Sequence, residues 1–162
     1  MNTNNPFELF DLEPCIHMNR AQLDKAFQRI QLLYHPDKHA CPIDKQAALT
    51  LSAKIAKQYA ALKTPLGCLN AILKLHSLDT IEDKTNNDME IMQEIFAMQE
   101  KLIDLKAKDD TAGIKQLSYA LAERIAAIES AFMLAHENNN TSELKKQAIR
   151  FSYFIKFQKN IA

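Results

Sequence analysis

An all-α fold is what this sequence predicts, and three observations predict it. The 162 residues contain only 2 Gly and 5 Pro, and no Val at all. Sheets favour Val and rely on Gly-rich turns, so an all-β or dinucleotide-binding α/β chain is disfavoured. Apolar residues recur at spacings of three and four along much of the chain, the period of a helix buried along one face. Hydrophobic residues make up 47 %, enough for a packed core and too many for a disordered chain.

The elements follow in order. Pro6-Phe7-Glu8-Leu9-Phe10 reads as a short helix opened by proline. Over Arg20–Tyr34, the residues Leu23, Ala26/Phe27, Ile30 and Leu33/Tyr34 make one apolar stripe. Pro36 ends it, because the residue before a proline is pushed out of the helical region. A helix over Ile43–Lys63 carries Ala48, Leu51, Ile55, Tyr59 and Leu62 and is bounded by Pro65. The two long helices should form an antiparallel hairpin around His35–Pro42, and Leu69–Leu75 reads as a short connecting helix. Residues 77–87 are polar and read as a linker. Beyond it, three helices are expected. Asp88–Ala107 carries Ile91, Ile95, Met98, Leu102 and Leu105; Thr111–Ala135 carries Ile114 through Phe132 at helical spacing; Ser142–Asn160 carries Leu144, Ala148, Phe151 and Ile155. Short breaks at Lys108-Asp109-Asp110 and Asn138-Asn139-Asn140 favour antiparallel neighbours and a three-helix bundle. The organisation expected is therefore residues 1–76, a linker over 77–87, and residues 88–162.

Charge separates function classes. Lys+Arg and Asp+Glu balance at 20 each, so general nucleic-acid binding through phosphates is disfavoured. Residues 1–75 hold nine basic and six acidic side chains, giving +3; residues 76–162 hold eleven and fourteen, giving −3. The odd, widely spaced Cys15, Cys41 and Cys68 match neither a disulfide framework nor a zinc ribbon and suit a reducing compartment. No secretory signal and no membrane-spanning run is read, so a cytoplasmic protein is expected. Without a Gly-rich phosphate loop, no nucleotide site is expected. His35, His39 and Cys41 match no usual metal spacing, and Cys68 reads as packing rather than as a nucleophile. No metal, cofactor or enzymatic activity is expected.

The tripeptide His35-Pro36-Asp37, followed by Lys38, stands out. It presents an imidazole and a carboxylate from a proline-stiffened bend. The preceding helix carries Lys25 and Arg29 one turn apart, away from its apolar stripe, and with Lys38 they form a local positive field suited to an acidic partner. Alone, the tripeptide is equally a helix stop and a solvated turn. Its surroundings, Pro6-Phe7-Glu8-Leu9-Phe10, Phe27-Gln28-Arg29-Ile30-Gln31-Leu32-Leu33-Tyr34 and Ile55…Tyr59…Leu62…Pro65, resemble the J-domain family of co-chaperones. A generic J-protein continues into a Gly/Phe-rich linker and zinc or β domains. This chain runs through Lys63-Thr64-Pro65-Leu66 into an acidic helical bundle. That layout resembles the HscB-type family, the J-type co-chaperones of iron–sulfur cluster assembly, with Leu32–Lys38 and Asn86–Leu102 as the firmest stretches.

The resemblance implies a J-domain over 1–76 and a client-binding bundle over 88–162. It implies that His35, Pro36, Asp37, Lys38, Lys25 and Arg29 dock on an HscA-like, DnaK-class chaperone and stimulate its ATPase. The bundle would hold an IscU-like scaffold protein through Met92, Gln93, Phe96 and Glu100, with Phe151 from the last helix. A monomer is expected. Gly67-Cys68-Leu69-Asn70 departs from the family, which has an Arg and a Tyr before its Leu pair, and this bears on the interdomain contact. Gln93 and Ala97 depart too, where the family more often has an apolar residue and a Glu. The Cys-x-x-Cys pairs of some eukaryotic relatives are absent, so a bacterial-type member is expected. The same J-domain with another client is an alternative, and a small enzyme or phosphorelay protein using His35 is a more distant one.

Periodicity bears separately on the client surface. Taking Ile91 as zero and about 100° per residue, Ile95, Met98, Leu102 and Leu105 fall within about 40° of it. Met89, Met92, Phe96 and Ile103 fall between about 100° and 160°, a second apolar face. Either that face is buried as well, or it is an exposed patch for a partner.

Overall fold

The computed structural model describes residues 5–34, 42–81 and 89–161, with backbone alone for 42–44. The helices are α1 (Pro6–Phe10), α2 (Arg20–Tyr34), α3 (Pro42–Leu62), α4 (Pro65–Leu75), α5 (Met89–Ala107), α6 (Thr111–Glu137) and α7 (Thr141–Ile161). No strand occurs among the described residues. The chain divides into two compact units, residues 1–80 and 81–162.

Short polar side chains start the helices. Asn5 Oδ1 accepts from the Phe7 and Glu8 amides ahead of α1, and Asn19 Oδ1 from Gln22 ahead of α2. Thr64 Oγ1 accepts from Gly67, Asp110 Oδ1 from Gly113 and Asn140 Oδ1 from Glu143. Each satisfies an amide that the first helical turn leaves without a backbone partner. The helix stops are equally regular. Asp11, Ser77, Asp109 and Asn139 adopt positive φ of 52–58°. Their amides, and those of the residues after them, bond back to the last helical carbonyls: Ser77 to Lys74 and Leu78 to Leu73, Asn139 to His136 and Asn140 to Ala135. This is the left-handed helix ending usually made by glycine, filled here by Asp, Asn and Ser.

In the first unit, α2 and α3 run antiparallel. Tyr59 Oη donates to Asp24 Oδ1 at 2.6 Å near one end, and Ser52 Oγ donates to the Tyr34 carbonyl at 3.3 Å nearer the other. Leu23, Ala26 and Ile30 of α2 are buried with Ala48, Ile55 and Leu62 of α3, and Phe7 and Phe10 of α1. Phe27 stacks on Tyr59 at 3.9 Å between centroids and meets Phe10 edge-on. Leu33, expected on the buried stripe, is 62 % exposed instead, since the buried positions of α2 end at Ile30. The connecting helix begins at Pro65 rather than at the expected Leu69. Thr64 caps it and Pro65 occupies its first turn, which fixes the start four residues earlier. Gly67 lets α4 turn tightly off α3, because a β-carbon there would overlap the Ala61 carbonyl oxygen.

In the second unit, α5, α6 and α7 form a three-helix bundle. Ile91, Ile95 and Leu102 of α5 are buried with Leu117, Leu121, Ile125, Ile128 and Phe132 of α6 and Leu144, Ala148, Phe151, Phe154 and Phe157 of α7. Ile155, expected on the α7 stripe, is only half-buried; Phe154 and Phe157 fill the seam. Glu94 ties the three helices together, accepting from Arg124 of α6 through Oε1 at 2.9 Å and from Arg150 of α7 through Oε2 at 2.8 Å.

Candidate functional site

Two outward faces carry several of the sequence-predicted residues. On α2, Lys25 and Arg29 are exposed one turn apart while Leu23, Ala26 and Ile30 turn inward. The inward face is held by the Phe27–Tyr59 stack and by Tyr59 on Asp24, which also faces Arg20 Nε at 3.3 Å. Lys63 Nζ lies 4.0 Å over the Tyr59 ring. These contacts fix the rotation of α2 and so aim its cations outward. Arg29 reaches Asp11 at 3.9 Å, with both side chains exposed; such a pair is worth little and leaves the guanidinium available. An open groove of about 710 Å³ runs between residues 11–19 and α2, with Lys25 and Arg29 on its rim. The tripeptide His35-Pro36-Asp37, with Lys38, lies outside the described residues, as do His39 and Cys41. α2 leads to it with its last carbonyl, that of Tyr34, fastened to Ser52.

On α5, the second apolar face is outside. Met89 is 72 %, Phe96 54 % and Ile103 68 % exposed. Met92 is half-buried, and Gln93 and Glu100 are exposed. The core positions Ile91, Ile95 and Leu102 on the same helix are buried, so α5 is apolar on two sides and one of them packs within the bundle. Phe151 does not join this face. It is 0 % exposed, inside the bundle, where it packs against the core and offers no surface. The periodicity that puts it on the core stripe of α7 is the correct reading, and the client-contact expectation for Phe151 is withdrawn.

Elsewhere the chemistry is quiet. Cys68 is buried, with its Sγ on the Leu62 carbonyl at 3.3 Å. Burial, and secondarily Cys15, pushes its thiol up to about 11. Cys15 is raised as well, by burial and then by Glu13. Thiols held protonated are poor nucleophiles. No metal-holding group of three His, Cys, Asp or Glu occurs among the described residues, and no helix among them is long and apolar enough to cross a membrane. The Glu94 fork had no sequence signal, because its partners lie 30 and 56 residues away.

The family model described as the HSCB C-terminal oligomerisation domain matches residues 87–162. A co-chaperone protein HscB homolog of Pseudoalteromonas atlantica is 32 % identical over 130 residues, covering 78 % of this chain and 74 % of that one. Two solved structures share the fold. The chaperone HscB from Vibrio cholerae superposes with a TM-score of 0.81 at 22 % identity, covering 97 % of this chain and 95 % of that one. The human co-chaperone HscB gives 0.79 at 24 %, covering 99 % and 82 %. With a relative this similar over most of both lengths, and with the C-terminal bundle matched by the family's own domain model, the chain belongs to the HscB family of co-chaperones.

Proposed function

We propose that the chain couples an HscA-like, DnaK-class chaperone to an IscU-like scaffold protein in iron–sulfur cluster assembly, acting in the cytoplasm as a monomer. The observation that carries this reading is the presence of two exposed faces of different chemistry on two separate units, basic on α2 and apolar on α5. Lys25 and Arg29 steer an acidic surface of the chaperone onto His35-Pro36-Asp37. The proline ring of Pro36 restricts the backbone between His35 and Asp37, and these two supply polar contacts. The chain catalyses nothing itself. It binds the hydrolysis-competent state of the chaperone better than the other states, and that difference in affinity shifts the chaperone's equilibrium. The scaffold rides on Met92, Gln93, Phe96 and Glu100.

The test is ATPase stimulation of an HscA-type chaperone and of a general DnaK-type chaperone, each with and without scaffold. The chain should stimulate the HscA type, and more strongly with scaffold present. His35→Gln should abolish stimulation while thermal unfolding and scaffold binding stay as in the wild type. Full stimulation by that variant would remove the proposal, and stimulation indifferent to the scaffold would point to another client.

A further inference from the structure

The apolar side chains on the outer side of α5, exposed at Met89, Phe96 and Ile103 and half-buried at Met92, extend beyond Met92 and Phe96. Met89, Met92, Phe96 and Ile103 lie within a 60° sector of the helix and span 15 residues, about 21 Å of its length. Packing within the bundle does not account for Ile103. It is 68 % exposed while its neighbour Leu102 is buried, and an exposed helical position places no demand for a β-branched residue. Single exposed apolar residues are ordinary, but an aligned row of them marks a contact surface.

Resting on the scaffold-binding reading, we infer that Ile103 and Met89 are further client contacts, so that the client covers the whole row and not only its Met92–Phe96 centre. The charges beside the row describe the occupant. Glu100 stands exposed about 60° from Ile103 on one side. Asp104, further round that side, is already paired with Lys108 at 2.7 Å. On the other side Lys106 donates to the Asn160 carbonyl. The occupant is therefore an apolar strip bordered by a cation on the Glu100 side. A second copy of this chain fits poorly. Twofold pairing of α5 about Phe96 sets Met89 against Ile103 but Glu100 against Met92, burying a carboxylate on a thioether, which costs free energy unless it finds a partner.

Calorimetric titration of an IscU-type scaffold into the full chain tests this. Ile103→Ser should weaken binding about fivefold, as a contact near the edge of an interface does, and Phe96→Ala more. Leu134→Ser, which removes an equally exposed apolar side chain from α6, should change nothing. Ile103→Lys should bind more weakly than Ile103→Glu, because the added ammonium would face the client's cation. If Ile103→Ser binds like the wild type while Phe96→Ala is impaired, this inference falls and the scaffold reading survives. If neither variant is impaired, the scaffold reading itself falls. A wild-type dimer in sedimentation that Ile103→Ser converts to monomer would assign the row to a second copy and overturn the inference.

Discussion

In the N-terminal unit the hairpin is registered by a chain of contacts that runs from exposed Arg20 to half-buried Asp24, Tyr59 and Phe27. In the C-terminal unit α5, α6 and α7 meet along a continuous apolar seam, with polar reinforcement at Glu94. Their outward faces differ in the same way. The cations of α2 act over roughly 8–10 Å in physiological salt and are weakened by more of it. The apolar row of α5 acts only in contact and is little affected by salt. Under the proposed function, one face steers and orients a partner and the other holds one. The contrast is what the proposed bridging role would require, since two partners must be distinguishable by the chemistry of their surfaces.

The strongest way to break the comparison is at Phe151, which the bundle buries and the client-contact expectation had put outside. Phe151→Ala should destabilise the C-terminal unit by about 3–5 kcal/mol, the usual cost of emptying an aromatic site in a core. Phe151→Leu keeps most of the apolar volume, so it should lose much less stability and bind scaffold with wild-type affinity. Denaturant unfolding and calorimetry on the two variants check this. A Leu variant that folds normally but loses scaffold binding would return Phe151 to the client surface.

A second contrast is confined to the N-terminal unit, which holds all three cysteines, Cys15, Cys41 and Cys68. The Cys68 thiol rises from an ordinary 9.0 to about 11 in the folded chain, chiefly through burial. The unfolded chain therefore releases this proton first. Stability from the buried thiol is complete below pH 9 and is lost as pH rises from 9 to about 11, a total of about 2–3 kcal/mol. Cys68→Ala should remove that slope from the unfolding of the N-terminal unit. Unfolding at pH 8 and pH 10.5 measures it, and an equal slope in the variant would show that Cys68 is not its source.

The longer helices were legible because their apolar periods run unbroken. α2 spans the expected Arg20–Tyr34, and α3, α5, α6 and α7 end within two residues of expectation. The start of α4 was misplaced although its signal was present, because Thr64-Pro65 is a cap followed by a first-turn proline. The contacts that aim the faces were not legible. Tyr59 with Asp24, and Glu94 with Arg124 and Arg150, join residues 30–56 apart, and no local pattern specifies such partners. On the candidate surfaces, the helical angle separated Met89, Met92, Phe96 and Ile103 from the core seam. Only the packing could decide that Phe151 faces inward, since an aromatic side chain suits a seam and a patch equally well.

The smallest effect tests the contrast in salt response directly. Replacing Lys25 and Arg29 together by Ala should raise the concentration of this chain needed for half-maximal ATPase stimulation by about tenfold at low salt, because the steering field is removed. The gap between variant and wild type should narrow as salt is raised from about 50 to about 300 mM, since screening weakens the wild type while the neutralised face has little left to lose. Met92→Ala with Phe96→Ala should instead weaken scaffold binding by about 2 kcal/mol, near 30-fold, and by the same factor at both salt concentrations. The two pairs should also fail on different partners: the basic pair leaves scaffold binding unchanged, and the apolar pair leaves stimulation without scaffold unchanged. A salt-independent defect in the basic pair would mean that Lys25 and Arg29 make close contacts that fix the docked pose rather than a field that guides approach. The distinction between steering and holding would then no longer follow the boundary between the two units.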